Sequence, residues 1–117
     1  VTIERDPNCI FCKIVAGDVA CEQLYEDDEI LGFEDTNPRA PFHGLLIPKT
    51  HIATLDELKD DQAGIMGRLF VIARDLAAKY DLPGYRIVIN TNAAGGQVVF
   101  HVHMHVLGGR QMHGSLG

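Results

Sequence analysis

The chain has 117 residues, 46% hydrophobic and 22% charged, with Lys+Arg 10 against Asp+Glu 16 and a net charge of -6. That length suits one domain with one core, residues 1-117 together, and the acidic balance argues against a nucleic-acid binder while leaving room for a pocket that takes a small nucleotide. No apolar run approaches the roughly 18 residues of a membrane helix, the opening Val1-Thr2-Ile3-Glu4-Arg5-Asp6 is too polar for a secretory signal, and three cysteines favour a reduced, cytoplasmic protein over a disulfide framework.

Cys9 to Ala16 reads as a short helix stopped by Gly17, and Cys9-Ile10-Phe11-Cys12 within it is a metal half-site, a redox pair or two small, partly buried residues. Glu22 to Glu26 and Glu29 to Asp35 read as strands joined by a tight hairpin at Asp27-Asp28. Asn37-Pro38 and Ala40-Pro41 mark a loop, and Leu45-Leu46-Ile47, ended by Pro48, is a short buried strand. Thr54-Leu55-Asp56-Glu57 fits a capping box before a long helix from about Asp61 to Tyr80. Its apolar stripe is Ile65, Leu69, Ile72, Ala73, Leu76 and Tyr80, widened by Met66, Phe70 and Ala77. Leu82-Pro83-Gly84 ends the helix, Tyr85 to Thr91 alternates like a strand, Asn92 to Gly96 is a turn, and Val98 to Leu107 is a last long strand. This order predicts an antiparallel α+β domain with helices on one side of the sheet.

Within the last strand, alternation puts His101, His103 and His105 on one face and Val102, Met104 and Val106 on the other. Three imidazoles make a poor core, so chemistry is the better reading. Same-face neighbours stand roughly 6.5–7 Å apart, so a single metal could hold two of these histidines but hardly all three. The other reading is nucleophilic catalysis: neutral imidazole is abundant near pH 7 and suits phosphoryl or nucleotidyl transfer. Gly95-Gly96-Gln97, just ahead, could form a backbone nest for a phosphate.

His101-Val102-His103-Met104-His105-Val106-Leu107 resembles the signature of the histidine triad (HIT) superfamily, and Leu107-Gly108-Gly109-Arg110-Gln111-Met112-His113 resembles its Hint branch, the histidine triad nucleotide-binding proteins. The likeness extends to Phe11-Cys12-Lys13-Ile14, Tyr25-Glu26-Asp27-Asp28, Leu46-Ile47-Pro48-Lys49 and Gly84-Tyr85-Arg86. It implies a five-stranded antiparallel sheet with one long and one short helix, and a homodimer with a ten-stranded sheet. It also implies a purine nucleoside phosphoramidase that hydrolyses the P–N bond of adenosine or guanosine 5′-phosphoramidates, such as the lysine adduct of AMP.

On that resemblance His103 is the nucleophile that becomes nucleotidyl-histidine, the backbone around His101 orients it, and His105 and His43 flank the phosphate. Phe33 contacts the base, Asp35 the ribose hydroxyls and Asn90 the phosphate end, while Gly96, Gln97 and Val98 border the phosphate, Gln97 and Val98 through main-chain N–H groups. No cofactor is required for catalysis. Several members hold a structural zinc, and the matching residues here are Cys9, Cys12, His51 and His101, with two reduced thiols as the alternative. Two departures stand out: valine occupies position 98, where many Hint proteins carry a hydroxyl residue, and Gly114-Ser115-Leu116-Gly117 lacks the tryptophan-proline-proline ending of animal members. A purine-nucleotide-binding module with little turnover and a dinucleoside polyphosphate hydrolase are the alternative functions. Cys21 reads as structural, and His113 as a surface or dimer-edge residue.

Overall fold

Short helix α1 (Ile10–Ala16) forms where the sequence supplies both of its ends. Cys9 is the N-cap, its sulfur accepting from the Cys12 amide, and Gly17 closes the helix in the left-handed conformation, φ 84°. The computed structural model describes residues 3–114 and 116; Val1, Thr2, Ser115 and Gly117, parts of the opening and tail segments read above, lie outside it. After α1 come β1 (Gln23–Glu26), β2 (Ile30–Glu34), β3 (Phe42–Pro48), α2 (Ala63–Lys79), β4 (Tyr85–Val88) and β5 (Met104–Gly108), with 3-10 turns at Leu55–Glu57, Asp60–Gln62 and Ala93–Gly95. All described pairings are antiparallel, in the order β1-β2-β3-β5-β4. Among the described residues, no helix is long and apolar enough to cross a membrane.

The two helices cover opposite faces of the sheet, which corrects the expectation of helices on one side. Met66, Leu69, Ile72, Ala73 and Leu76 of α2 pack on Ile30, Leu46, Met104 and Val106. Phe11 and Cys12 of α1, with Cys9, pack on Leu31, Phe33, Leu45 and Ile47. The period-2 pattern of β2 and β3 therefore supplies two cores, and β3, central in the sheet, is buried from His43 to Pro48. The α2 stripe is narrower than predicted, with Ile65 half-buried and Phe70 and Tyr80 exposed.

Three further local expectations change. Thr54 caps nothing; its hydroxyl donates to Asn92 Oδ1 at 2.8 Å, and α2 begins after a second 3-10 turn in which the Lys59 amide donates to Gln62 Oε1 at 2.9 Å. The last strand starts at Met104 rather than Val98, because residues 97–103 bond to the segment after β3: the Val102 amide donates to Ile52 O at 2.7 Å and Gln97 Nε2 to Ala53 O at 2.7 Å. Strand β4 likewise ends at Val88, opposite His105, short of the predicted Thr91.

Candidate active site

Facing α1, the sheet carries a hollow of about 560 Å³. Ile10, Phe11, Ile14, Val19 and Phe33 form its apolar lining; Asp35, Asn37, Arg39, His43, Asn90, His103 and His105 form the polar lining, with Gly96 and Val98 at the border. Alternation on β3 and β5 brings the imidazoles there: Leu45 pairs with His105 and His43 with Leu107, so His43 and His105 are diagonal neighbours on one face. His103 reaches the same hollow from just before β5, while Val102, Met104 and Val106 fill the α2 core, as alternation predicts. His101 turns elsewhere and is fully buried beside Cys9, Cys12 and His51.

Hydrogen bonds assign the ring protons of the neutral histidines. His103 Nδ1 donates to the His101 carbonyl at 2.8 Å, which leaves Nε2 with a free lone pair. His43 Nδ1 accepts from the Arg39 amide at 2.9 Å, so its proton is on Nε2, 2.9 Å from His105 Nδ1. His105 therefore keeps its own proton on Nε2. Asp35 Oδ2 lies 3.4 Å from His43 Nε2. The rings of His103 and His105 meet edge-on at 4.9 Å, and Phe11 packs edge-on against His103 at 5.1 Å.

Burial pushes all four histidines toward the neutral form. His103 is lowered by desolvation, against the opposing effect of its bond to the His101 carbonyl. His105 falls to about 4 through desolvation and the positive charge that His103 and His43 would carry. His43 is lowered by desolvation, with Asp35 opposing and the Arg39 guanidinium adding to the fall. His101 falls to about 4, mainly by desolvation. At neutral pH the site thus presents an unprotonated ring nitrogen, His103 Nε2, and an adjacent N–H donor on His105.

The predicted phosphate nest is not formed. The amides of Gly95 and Gln97 both donate to Asn92 O and that of Gly96 to Ala93 O, each at 3.0 Å. The Gln97 amide is engaged in this way, and its buried side chain braces the loop by donating to Ala53 O and Val99 O and accepting from the Asn92 amide. Val98 lines the hollow at 86% exposure. Sequence reasoning missed Ile10, Ile14, Val19 and Arg39, and it read Cys21, which also lines the hollow, as structural. Helical spacing at 10 and 14 was the only available signal for the first two; nothing local marks Arg39 or Cys21.

The predicted metal ligands come together. Cys9, Cys12, His51 and His101 place their ligand atoms within 4.8 Å of one another. Cys9 Sγ and Cys12 Sγ are 3.4 and 3.5 Å from His101 Nδ1, and His51 Nδ1 is 3.3 Å from both Cys12 Sγ and His101 Nδ1. Four ligands bonded at about 2.0–2.3 Å in a tetrahedron stand roughly 3.3–3.8 Å apart, so the set fits zinc. His101 Nε2 donates to Pro48 O at 2.7 Å, which turns the bare Nδ1 toward the cluster.

Residues 16–112 match the HIT domain. The chain is 41% identical over 102 residues to Protein HitA of Neisseria gonorrhoeae, covering 86% of this chain and 95% of that one. It is 38% identical over 105 residues, 88% of each chain, to the purine nucleoside phosphoramidase of Escherichia coli K12. The crystal structure of a HIT family hydrolase from Legionella pneumophila Philadelphia 1 superposes with a TM-score of 0.91 at 46% identity, over 94% of this chain and 100% of that one. With its histidines set on the sheet face beneath α1, the chain belongs to the HIT superfamily, in its Hint-like branch, and is a HIT hydrolase.

Proposed function

We propose that the protein is a purine nucleoside phosphoramidase, a single HIT domain that cleaves the P–N bond of adenosine or guanosine 5′-phosphoramidates through a nucleotidyl-His103 intermediate. The observation that carries this reading is the His103 ring, locked by its Nδ1 bond to the His101 carbonyl so that a free Nε2 is available in a hollow it shares with His105 and His43. The apolar lining around Phe33 takes the purine and Asp35 the ribose. His103 Nε2 attacks phosphorus as the P–N bond breaks, and the departing nitrogen keeps the bonding electron pair and takes a proton. His105 delivers it, because the bound phosphoryl anion offsets the desolvation that lowers its pKa and favours the imidazolium. Water then cleaves the Nε2–P bond and returns a proton to His105.

Cys9, Cys12, His51 and His101 hold a structural zinc that ties the start of α1 to the segment bearing the nucleophile. Nothing in the reaction runs through the metal. Two copies associate into a homodimer; the open outer edge of β4 and the exposed Phe70 and Val71 of α2 support this, and a sedimentation mass of one chain, 12.9 kDa, overturns it.

The deciding experiment is release of amine from an adenosine 5′-phosphoramidate. Wild type turns over, and His103→Ala loses about a thousandfold or more in kcat. If the wild type binds AMP yet is inactive, the binding-module reading replaces this one, with Val98, which offers no side-chain hydrogen bond, as the first suspect. Faster cleavage of a diadenosine polyphosphate than of the phosphoramidate would place the chain with the dinucleoside polyphosphate hydrolases.

A further inference from the structure

The wall of the hollow includes one permanently charged cation. Arg39 is the sole lysine or arginine among the described lining residues, with the carboxylates of Glu34 and Asp35 nearby in a chain of net charge -6. It is exposed and has no carboxylate partner within salt-bridge distance among the described residues. Its backbone is held: the amide donates to His43 Nδ1 at 2.9 Å, and the carbonyl accepts from Arg110 Nη2 at 3.4 Å. The backbone that carries this guanidinium is thus anchored to His43 of the His43–His105 pair, the branch of the site that serves the departing nitrogen.

This juxtaposition points to Arg39 as a specificity residue that receives an anionic group on the departing amine. The favoured substrates are then nucleoside phosphoramidates of amino acids and other carboxylate-bearing amines. The inference rests on the phosphoramidase reading above. Guanidinium pairs with carboxylate through two parallel hydrogen bonds, and at the edge of a partly desolvated hollow that pair outweighs one in open water. A neutral amine cannot form it.

Two substrates isolate the effect: the adenosine 5′-phosphoramidates of β-alanine and of β-alanine amide, which differ only at the carboxyl group. The wild type is expected to favour the carboxylate by about tenfold in kcat/KM. Arg39→Gln brings the ratio close to one, Arg39→Lys retains part of it, and added salt shrinks it in the wild type. Because the ratio is internal to each variant, partial loss of folded protein does not move it. A wild-type ratio near one overturns the inference while leaving the phosphoramidase reading intact. So does an equal loss on both substrates in Arg39→Gln, which would show the charge acting on the phosphoryl group. Cleavage of neither substrate by a wild type that still binds AMP overturns the phosphoramidase reading itself.

Discussion

Asn92 holds φ 63° and ψ 168°, a backbone region nearly reserved for glycine. Its contacts over-determine it: the side chain accepts from Thr54 Oγ1 at 2.8 Å and donates to Asp56 Oδ2 at 2.7 Å, and the amide donates to Gln97 Oε1 at 2.8 Å. Asn92→Ala keeps the strained backbone and loses the side-chain bonds, which should cost about 2 kcal/mol in urea unfolding. Asn92→Gly loses the same bonds but relieves about 1–3 kcal/mol of strain, so it should unfold close to the wild type. Equal losses in the two variants would show that no strain is stored there. His105 makes the matching residue-scale statement about pH. Its folded pKa, about 4, lies below the unfolded value near 6.5, so its contribution to stability is complete above that value and is lost as pH falls toward 4. Unfolding midpoints should therefore drop over that interval, with a shallower slope in His105→Asn.

At the scale of elements, the turn between β1 and β2 is tied to α2 by one carboxylate. Asp27 accepts from Tyr25 OH at 2.6 Å and from the Glu29 and Ile30 amides at 2.8 and 2.9 Å, and it pairs with Arg68 of α2. Burial works to raise its pKa, but these donors outweigh it and hold the carboxyl below its ordinary value. Asp27→Asn should cost about 1–2 kcal/mol at pH 7, and the penalty should shrink as pH falls below the ordinary carboxyl value of about 4, vanishing only once pH has passed the depressed folded value and the wild type also loses the charge. A penalty that persists at low pH would assign the effect to shape instead. Gly32 on β2 is set by close approach: an added Cβ would lie 2.7 Å from Leu46 Cδ2 and 3.3 Å from Tyr25 Cβ. Leu46 is fully buried under α2 and has nowhere to move, so Gly32→Ala should destabilise by about 1–3 kcal/mol. The elements themselves were legible where local chemistry decides. Gly17 stopped α1, and alternation separated Val102, Met104 and Val106 from the histidines. Thr54-x-x-Glu57 misled, because a tertiary partner, Asn92, took the hydroxyl that a capping box would have used.

Across the whole molecule, Cys9, Cys12, His51 and His101 join the start of α1, the segment after β3 and the approach to β5. Protein made without chelators should contain close to one zinc per chain, and less than about 0.2 equivalents would exclude the site. Cys12→Ser should lose the metal and lower the unfolding midpoint, with turnover falling only as far as the folded fraction does.

Alternation along residues 102–106 was enough to separate His103 and His105 from the side chains of the α2 core, and motif likeness to single out Cys9, Cys12, His51 and His101, because side-chain period and ligand type are written locally. The covering of both sheet faces, the early end of β4, the engaged Gln97 amide and the place of Arg39 on the wall depend on contacts between distant segments. Pairing partners compete for the same strand edge and the same backbone donors, and only the packed chain decides which of them wins.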